Sequence, residues 1–209
     1  MKVILINGSP NKNGCTYTAL SEVANALNTS GIETEIFHLK KEPIFGCTAC
    51  GVCRKGNGCF AKDIVNDFGE KAKTADGFIF GSPVHYAGIS GQLKSFMDRL
   101  FFSSGAFLKG KVAGAVVSCR RAGSTAALEQ LLKYFSINQM PIVSSQYWTM
   151  VHGATPADVE KDLEGMQTMR VLGNNAAWLI KCIEAGKKAG LDFPTAEPRK
   201  WTNFIRVEN

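Results

Sequence analysis

Short apolar runs alternate with helical segments five times along this chain of 209 residues. The first run, Val3-Ile4-Leu5-Ile6, precedes Asn7-Gly8-Ser9, which is typical of a buried strand that ends in a turn. The pattern predicts strands at 3–6, 33–39, 77–81, 111–118 and 140–143, and helices at 16–28, 63–74, 90–102, 124–135 and 158–185. Strands that alternate with helices in this way favour a parallel sheet covered by helices on both faces.

The predicted fold is a three-layer, doubly wound α/β domain around a five-stranded parallel sheet with the flavodoxin-like order 2-1-3-4-5. A hydrophobic fraction of 45% in 209 residues suits one compact domain with a tail. We predict a domain at 1–186, with an inserted cysteine loop at 46–60, and a tail at 187–209 that packs on the domain or on a neighbouring subunit. In such sheets, ligands bind beyond the carboxyl ends of the strands, at the switch point between strands one and three.

The cysteine loop holds four of the chain's seven cysteines, spaced as Cys47-x2-Cys50-x2-Cys53-x5-Cys59. Thiolates are soft ligands that favour zinc or iron-sulfur clusters. Structural zinc sites usually take one Cys-x2-Cys pair from each of two separated turns, whereas three cysteines in consecutive x2 steps surround one cluster more readily. The spacing therefore favours a [4Fe-4S] cluster, with zinc and with free or disulfide-bonded thiols as the alternatives.

Charge and hydropathy limit the cellular location and the partners that are expected for the chain. The first residues lack the features of a signal peptide, and no run approaches the roughly 20 apolar residues of a membrane span. We expect a cytoplasmic protein, in which thiols stay reduced and a metal or redox role is favoured over disulfides. The net charge of +6 comes from scattered lysines and arginines, which favours phosphorylated cofactors or an acidic partner over nucleic acid.

The loop after the first predicted strand, residues 8–18, is rich in small and hydroxyl residues and leads into the first helix. Backbone amides, side-chain oxygens and the partial positive charge of a helix N-terminus can converge there on a phosphate. The loop lacks the Walker and Gly-x-Gly-x-x-Gly patterns, and an ordinary capped helix start is the alternative interpretation. We expect the Cys15 thiol to be neutral beside a phosphate and not to act as a nucleophile.

Two further loops follow the third and fourth predicted strands. Residues 82–91 supply a rigid proline, an aromatic ring at Tyr86 and free peptide groups, which suit a planar heterocycle such as a flavin. Residues 118–124 can contact the far side of that ring, where either of two adjacent arginines can steady a reduced flavin or bind a nicotinamide phosphate. A solvated basic turn is the alternative. His85 can donate a proton or serve only through its backbone.

Together these loops are similar to those of the NADPH-dependent FMN reductase branch of the flavodoxin-like superfamily. The similarity rests on Gly8-Ser9-Pro10, Gly14-x-Thr16, residues 82–86 and Gly91-Gln92-Leu93-Lys94-x-Phe96-x-Asp98-Arg99. With the cysteine run, the chain most resembles the iron-sulfur flavoproteins of anaerobes, homo-oligomers that hold FMN and a [4Fe-4S] cluster in each subunit. The resemblance implies that the FMN phosphate is held by Ser9, Asn11, Thr16 and Thr18. It also implies that the isoalloxazine ring lies along Pro83, Val84, Tyr86 and Gly88.

The predicted site residues fall into three sets. The candidate cofactor-binding residues are Ser9, Asn11, Cys15, Thr16, Tyr17, Thr18, Pro83, Val84, His85, Tyr86, Gly88, Ser118, Arg120 and Gly123. The catalytic candidates are His85, Tyr86 and Arg120. The candidate cluster ligands are Cys47, Cys50, Cys53 and Cys59.

The expected function is that of an FMN-dependent oxidoreductase that passes electrons between a [4Fe-4S] cluster and FMN. The alternatives are a cluster-free NAD(P)H-dependent FMN, quinone, azo or nitro reductase, and a flavodoxin-like electron carrier. A zinc-stabilised interaction module would leave the phosphate loop and residues 82–86 unexplained. Expected partners are a ferredoxin-type electron donor or NAD(P)H, a small oxidant, and further copies of the chain in a homodimer or homotetramer. Neither nucleic acid nor a membrane is expected as a partner.

Overall fold

The computed structural model describes residues 1–56, 58–198, 200 and 202. The strands are β1 (Lys2–Asn7), β2 (Glu33–His38), β3 (Gly77–Pro83), β4 (Val112–Cys119) and β5 (Met150–His152). The helices are α1 (Cys15–Thr29), α2 (Ile64–Ala72), α3 (Gly91–Leu108), α4 (Ser124–Ile137), α5 (Pro156–Lys161) and α6 (Leu163–Lys188), with a short 3-10 turn at Val52–Lys55. The strands are all parallel and lie in the order β2-β1-β3-β4-β5, so that the predicted fold class is confirmed.

Two apolar clusters cover opposite faces of the sheet. Neighbouring residues of a strand point to opposite faces, so Ile4 belongs to one cluster and Leu5 to the other. The first cluster includes Phe96 and packs the sheet against α2, α3 and α4. The second includes Leu20 and Leu172 and packs the sheet against α1 and α6. Because apolar residues fill both faces of the central strands, the sheet lies as the middle of three layers.

The fifth strand lies later in the chain than predicted, at Met150–His152 rather than at 140–143. The earlier segment makes a single bridge to β4, between Ala113 and Ile142, and Pro141 has no backbone N–H with which to extend the pairing. The chain then leaves β4 and pairs with it again further along, in parallel with the last three residues of β4. As a result, the residues after β5 reach the same edge of the sheet as the ends of β1, β3 and β4.

The predicted last helix, 158–185, is divided into two helices. The division falls at Asp162, whose backbone leaves the helical region at φ −75° and ψ 78°. Its carboxylate accepts hydrogen bonds from the N–H groups of Gly165 (3.0 Å) and His152 (2.7 Å), which caps α6 and ties it to the end of β5. α3 also continues past its predicted end, because its last turns still carry buried residues.

Phe193, a described residue of the tail, contacts its own domain at the end of α3. A Cβ at Gly110 would lie 3.0 Å from the ring of Phe193, and Lys109 Nζ lies 5.7 Å from the centre of that ring. The last part of the predicted tail, including residues 203–209, lies outside the described residues, and packing of the whole tail stays a prediction. Of the helices within the described ranges, none is long and apolar enough to cross a membrane.

Candidate functional site

Three loops meet at the carboxyl edge of the sheet, as the switch-point rule predicts. The Gly8 N–H donates to the Gly81 carbonyl (2.9 Å), and Ser90 Oγ donates to the Gly8 carbonyl (2.7 Å). These bonds join the loop after β1 to the loop after β3. The Val84 N–H donates to the Ser118 carbonyl (2.9 Å), which joins the loop after β3 to the end of β4. We refer to these three loops and the first turn of α1 as the rim.

The loop after β1 is shaped by its own side chains. Asn7 is fully buried, and its side-chain amide accepts from the Ser9 N–H (3.1 Å) and donates to the Lys12 carbonyl (3.0 Å). Ser9 Oγ accepts from the Asn11 N–H (3.1 Å), and the Ser9 carbonyl accepts from His38 Nε2 (2.8 Å). Because these bonds fix the loop without a ligand, little ordering entropy is lost when a ligand binds.

The start of α1 is open to an anion. The N-cap residue is Gly14, no described side chain caps the helix, and the first turn carries no acidic residue. Cys15, Thr16 and Tyr17 occupy the first helical positions, where backbone N–H groups have no acceptor in their own helix. Together with the positive end of the helix dipole, these amides suit a phosphate.

Two side chains at the start of α1 form hydrogen bonds with other parts of the fold. Thr16 is buried, and its Oγ1 lies 2.8 Å from Ser118 Oγ, a hydrogen bond that ties α1 to the end of β4. Cys15 Sγ donates to the Gly153 carbonyl at 3.7 Å. Burial raises the pKa of the Cys15 thiol, which agrees with the expected neutral state.

The loop after β3 contains a tight two-residue turn. His85 and Gly88 exchange backbone hydrogen bonds of 2.8 and 2.9 Å, and the residues between them, Tyr86 and Ala87, have φ values of 49° and 59°. Left-handed φ values at non-glycine residues are unfavourable and concentrate at functional sites. Tyr86 is fully exposed, so that its ring is free to cover a ligand or to contact another chain.

The loop after β4 packs on that turn. Gly123 has a φ of +86°, and a Cβ at this position would lie 2.8 Å from Ala87 Cα. The two loops therefore approach each other as closely as a glycine allows. Arg120 and Arg121 are exposed in the same loop, which places two positive charges in solvent near the turn.

The cysteine loop forms a second candidate site. The cavity of about 100 Å³ is lined by Cys47, Cys50, Cys53 and Cys59, with apolar walls from Phe45, Phe60 and Phe102. Among the residues with described positions, no three cysteine, histidine or acidic side chains gather closely enough to hold a single metal ion. A four-iron cluster takes one thiolate at each iron, so its ligands must surround a space rather than converge on one atom. Four thiols around one cavity are the donor set that such a cluster takes, and binding of a cluster at this loop stays a prediction.

Gln92 connects the cysteine loop to the rim. Its Nε2 donates to the carbonyls of Lys40 (2.8 Å) and Glu42 (3.1 Å), which lie in the segment that leads from β2 into the cysteine loop. Gln92 stands in the first turn of α3, whose N-cap residue Ser90 bonds the Gly8 carbonyl. The two candidate sites are therefore joined through the start of α3.

A family model described as NADPH-dependent FMN reductase matches residues 1–155. The chain belongs to this family. This reductase family member is a flavin-dependent oxidoreductase, and FMN is the cofactor that the family supports. The rim lies at the edge of the sheet where folds of this kind bind their ligands, and FMN binding at the rim stays a prediction.

Two relatives of this reductase from Methanocaldococcus jannaschii are named iron-sulfur flavoprotein. One is 37% identical over 192 residues, which cover 88% of this chain and 100% of the relative. The other is 34% identical over 196 residues, which cover 87% of this chain and 98% of the relative. The solved structure of RosB with bound 8-demethyl-8-formylriboflavin-5'-phosphate has a TM-score of 0.68 at 14% identity and covers 100% of this chain and 95% of that chain. At this identity, the likeness to RosB shows the fold alone.

The predicted cofactor-binding residues lie on the rim or, for Pro83 and Ser118, at the ends of β3 and β4 that lead into it. Ser9 Oγ acts as the acceptor for the Asn11 N–H and keeps its own O–H for a ligand. In the pair of Thr16 and Ser118, only one hydroxyl can donate to the other, so the second O–H is also available. The remaining predicted residues lie along the same segments, namely Cys15, Tyr17, Thr18, Pro83, Val84, His85, Tyr86, Gly88, Arg120 and Gly123. Their contacts with FMN stay predictions.

A fourth loop, residues 153–155, belongs to the same edge of the sheet. It lines an open cavity of about 510 Å³ with the loop after β1, His38 and Lys41. The predicted fifth strand ends too early in the chain to bring this loop to the site. In the sequence, the feature that indicates the position of this loop is the apolar pair Met150-Val151 shortly before Gly153. His38 has no predicted role either, because its bond to the Ser9 carbonyl is a tertiary contact.

Gly123→Ala is expected to destabilise the rim of this reductase. An alanine would have to keep a left-handed φ and would press its Cβ against the backbone of Ala87, which costs about 1–3 kcal/mol. Thermal unfolding with and without FMN measures this effect. Gly186→Ala in α6 is the matched control, since its Cβ would meet nothing closer than 3.8 Å, and it should leave stability unchanged or slightly higher. Equal melting temperatures for the two variants would contradict the prediction.

Proposed function

We propose that this reductase family member is an iron-sulfur flavoprotein that passes electrons between a [4Fe-4S] cluster at the cysteine loop and FMN at the rim. The observation that carries the proposal is the single cavity lined by Cys47, Cys50, Cys53 and Cys59. Four thiolates make up the complete protein ligand set of such a cluster. The names of the two Methanocaldococcus relatives support the same function.

Each part of FMN has a suitable counterpart on the rim. The amides at the start of α1, with Ser9, Asn11 and Thr18, would hold the phosphate. The backbone of residues 83–88 would follow the edge of the isoalloxazine ring, with the Tyr86 ring able to stack on its face. The far side of the ring would be approached by Ser118, Arg120 and Gly123.

FMN exchanges one or two electrons and a cluster exchanges one at a time, so that together they can connect one-electron donors with two-electron acceptors. The residues of the chain would supply charge and protons at the rim. Arg120 would stabilise negative charge beside the ring loop. The imidazole of His85 would be the proton donor or acceptor beside the ring, and Tyr86 would shield the ring from water.

The charges around the cysteine loop favour an acidic electron-carrier protein as donor. Arg54 and Lys55 are exposed in the 3-10 turn Val52–Lys55. A ferredoxin-type donor with an acidic surface would be attracted to these residues. Four further expectations stay predictions from the sequence. They are NAD(P)H as donor, a small oxidant as acceptor, a homodimer or homotetramer, and a cytoplasmic location.

A second candidate function is direct reduction of FMN by NAD(P)H without a cluster, followed by reduction of a quinone, azo or nitro compound. The family description supports this candidate because it names NADPH. The exposed Arg120 and Arg121 also offer two guanidinium groups, which suit the phosphate of a nicotinamide nucleotide.

Anaerobic reduction of bound FMN distinguishes the two candidates. Wild-type protein and a Cys50→Ser variant are each mixed with NADPH or with a reduced ferredoxin, and the loss of the visible flavin band is followed. The iron-sulfur function predicts that reduced ferredoxin bleaches wild-type FMN at least about tenfold faster than it bleaches FMN in the variant. Rapid bleaching by NADPH at the same rate in both proteins, with no dependence on Cys50 for ferredoxin, would support the cluster-free function instead.

A further inference from the structure

Arg99 is a buried charged residue at the wall of the cysteine cavity. It lies in the middle of α3, is only 2% exposed, and is the largest of the fully buried side chains among the described residues. A buried charge is unfavourable unless it is paired and hydrogen-bonded. The partners of its guanidinium group therefore show what the residue does.

Two of these partners belong to one carboxylate. Arg99 Nη1 donates to Asp63 Oδ2 (2.7 Å), and Arg99 Nη2 donates to Asp63 Oδ1 (2.8 Å), which is the bidentate geometry of a strong pair. Asp63 also caps α2 by accepting the Val65 N–H at 3.1 Å. This pair joins α2 to α3 and compensates the buried charge, but it uses only one edge of the guanidinium group.

The other edge of the guanidinium group faces the fourth cysteine. Arg99 Nε donates to Cys59 Sγ at 3.3 Å, while the Phe45 ring lies 4.3 Å from Arg99 Cζ. The backbone of Cys59 is fixed as well, because the Asn66 amide accepts the Cys59 N–H and donates to the Cys59 carbonyl, both at 2.9 Å. No hydrogen bond reaches the other three sulfurs of the loop within the described part of the chain. Cys59 is thus the anchored member of the set.

We propose that Arg99 is a positioning residue that holds Cys59 as a cluster ligand and raises the reduction potential of the cluster through its N–H···S bond. This inference rests on the proposed function. Reduction adds negative charge to a cluster and its thiolates, and a guanidinium donor stabilises that charge. A hydrogen bond from outside the ligand set also fixes the orientation of the ligand.

Lysine cannot replace Arg99 in this role. Only the guanidinium group presents a two-pronged edge to Asp63 and a separate Nε–H to Cys59 at the same time. Arg99→Lys therefore keeps the charge but removes the N–H···S bond. A second variant, Arg99→Gln with Asp63→Asn, removes both charges of the pair together and leaves no unpaired buried ion, so the fold is retained. Arg170→Lys is the matched control, because Arg170 pairs with Glu22 on the surface at 2.6 Å.

The test measures iron per FMN and the one-electron midpoint potential of the cluster in anaerobic wild-type protein and the three variants. Both Arg99 variants are expected to keep FMN and to show a ratio of reduced to oxidised cluster about tenfold lower at a given potential, which corresponds to a fall of about 59 mV. The Arg170 control should match the wild type. Wild-type iron content and potential in both Arg99 variants would overturn the role of Arg99 alone. Iron-free wild-type protein with bound FMN would overturn both this inference and the proposed function.

Discussion

Cys50→Ser is expected to lose its iron while it keeps its FMN. Cys50 lines the cysteine cavity, whereas the rim is built by the loops after β1, β3 and β4. A serine hydroxyl is a hard, weakly acidic ligand, and it replaces a thiolate poorly at a cluster. Anaerobically purified variant should contain less than about one iron per FMN where the wild type contains about four, as expected for one [4Fe-4S] cluster.

The control for this experiment is Cys182→Ser. Cys182 is exposed in α6 and lies outside the cysteine loop, so its replacement should leave both iron and FMN at wild-type levels. FMN content checks that each variant is folded at the rim. Wild-type iron content in Cys50→Ser would contradict the assignment of Cys50 as a cluster ligand.

Gly14→Asp is expected to weaken FMN binding by about 100-fold, because a carboxylate at this position lies beside the phosphate and occupies the same amides. Gly14 has φ −88° and ψ −169°, a conformation that any residue can adopt. As an N-cap residue, an aspartate would accept hydrogen bonds from the free N–H groups of the first turn. Without FMN, the aspartate variant should be about 1 kcal/mol more stable than Gly14→Ala.

A series of three substitutions at Gly14 distinguishes the effect of charge on FMN affinity from the effect of steric crowding. A Cβ at Gly14 would lie 3.0 Å from the Cβ of Asn11, so Gly14→Ala reports the effect of crowding alone. Gly14→Asn competes for the same amides without a charge and should fall between alanine and aspartate in affinity. FMN affinity is measured by quenching of flavin fluorescence, and stability by thermal unfolding of the apoprotein. Equal FMN affinity for the alanine and aspartate variants would mean that the phosphate is not held at the start of α1.

Most of the sheet is predictable from the sequence because buried parallel strands are continuous apolar runs. Val3 to Ile6 and Gly77 to Gly81 are such runs, and both lie in the centre of the sheet. The fifth strand is harder to identify, since only Met150–His152 pairs with β4 and three residues are too short for a periodic signal. The earlier apolar segment that contains Pro141 gives the stronger pattern but forms only one bridge.

The loops of the rim are also predictable, because each one follows a strand and parallel strands end at the same edge. Their internal bonds are not. Thr16 and Ser118 lie 102 positions apart, and Arg99 and Cys59 lie 40 positions apart, so no local spacing indicates that either pair meets. The same limit applies to Asp162, whose bond to the His152 N–H helps to divide the last helix in two.

The most direct test of the account is the content of iron, acid-labile sulfide and FMN in wild-type protein purified without oxygen. A [4Fe-4S] flavoprotein should contain about four irons and about four sulfides per FMN and show a broad visible absorbance that dithionite bleaches. Protein with a full complement of FMN but neither iron nor sulfide would contradict the account, and would identify this chain as a cluster-free member of its reductase family.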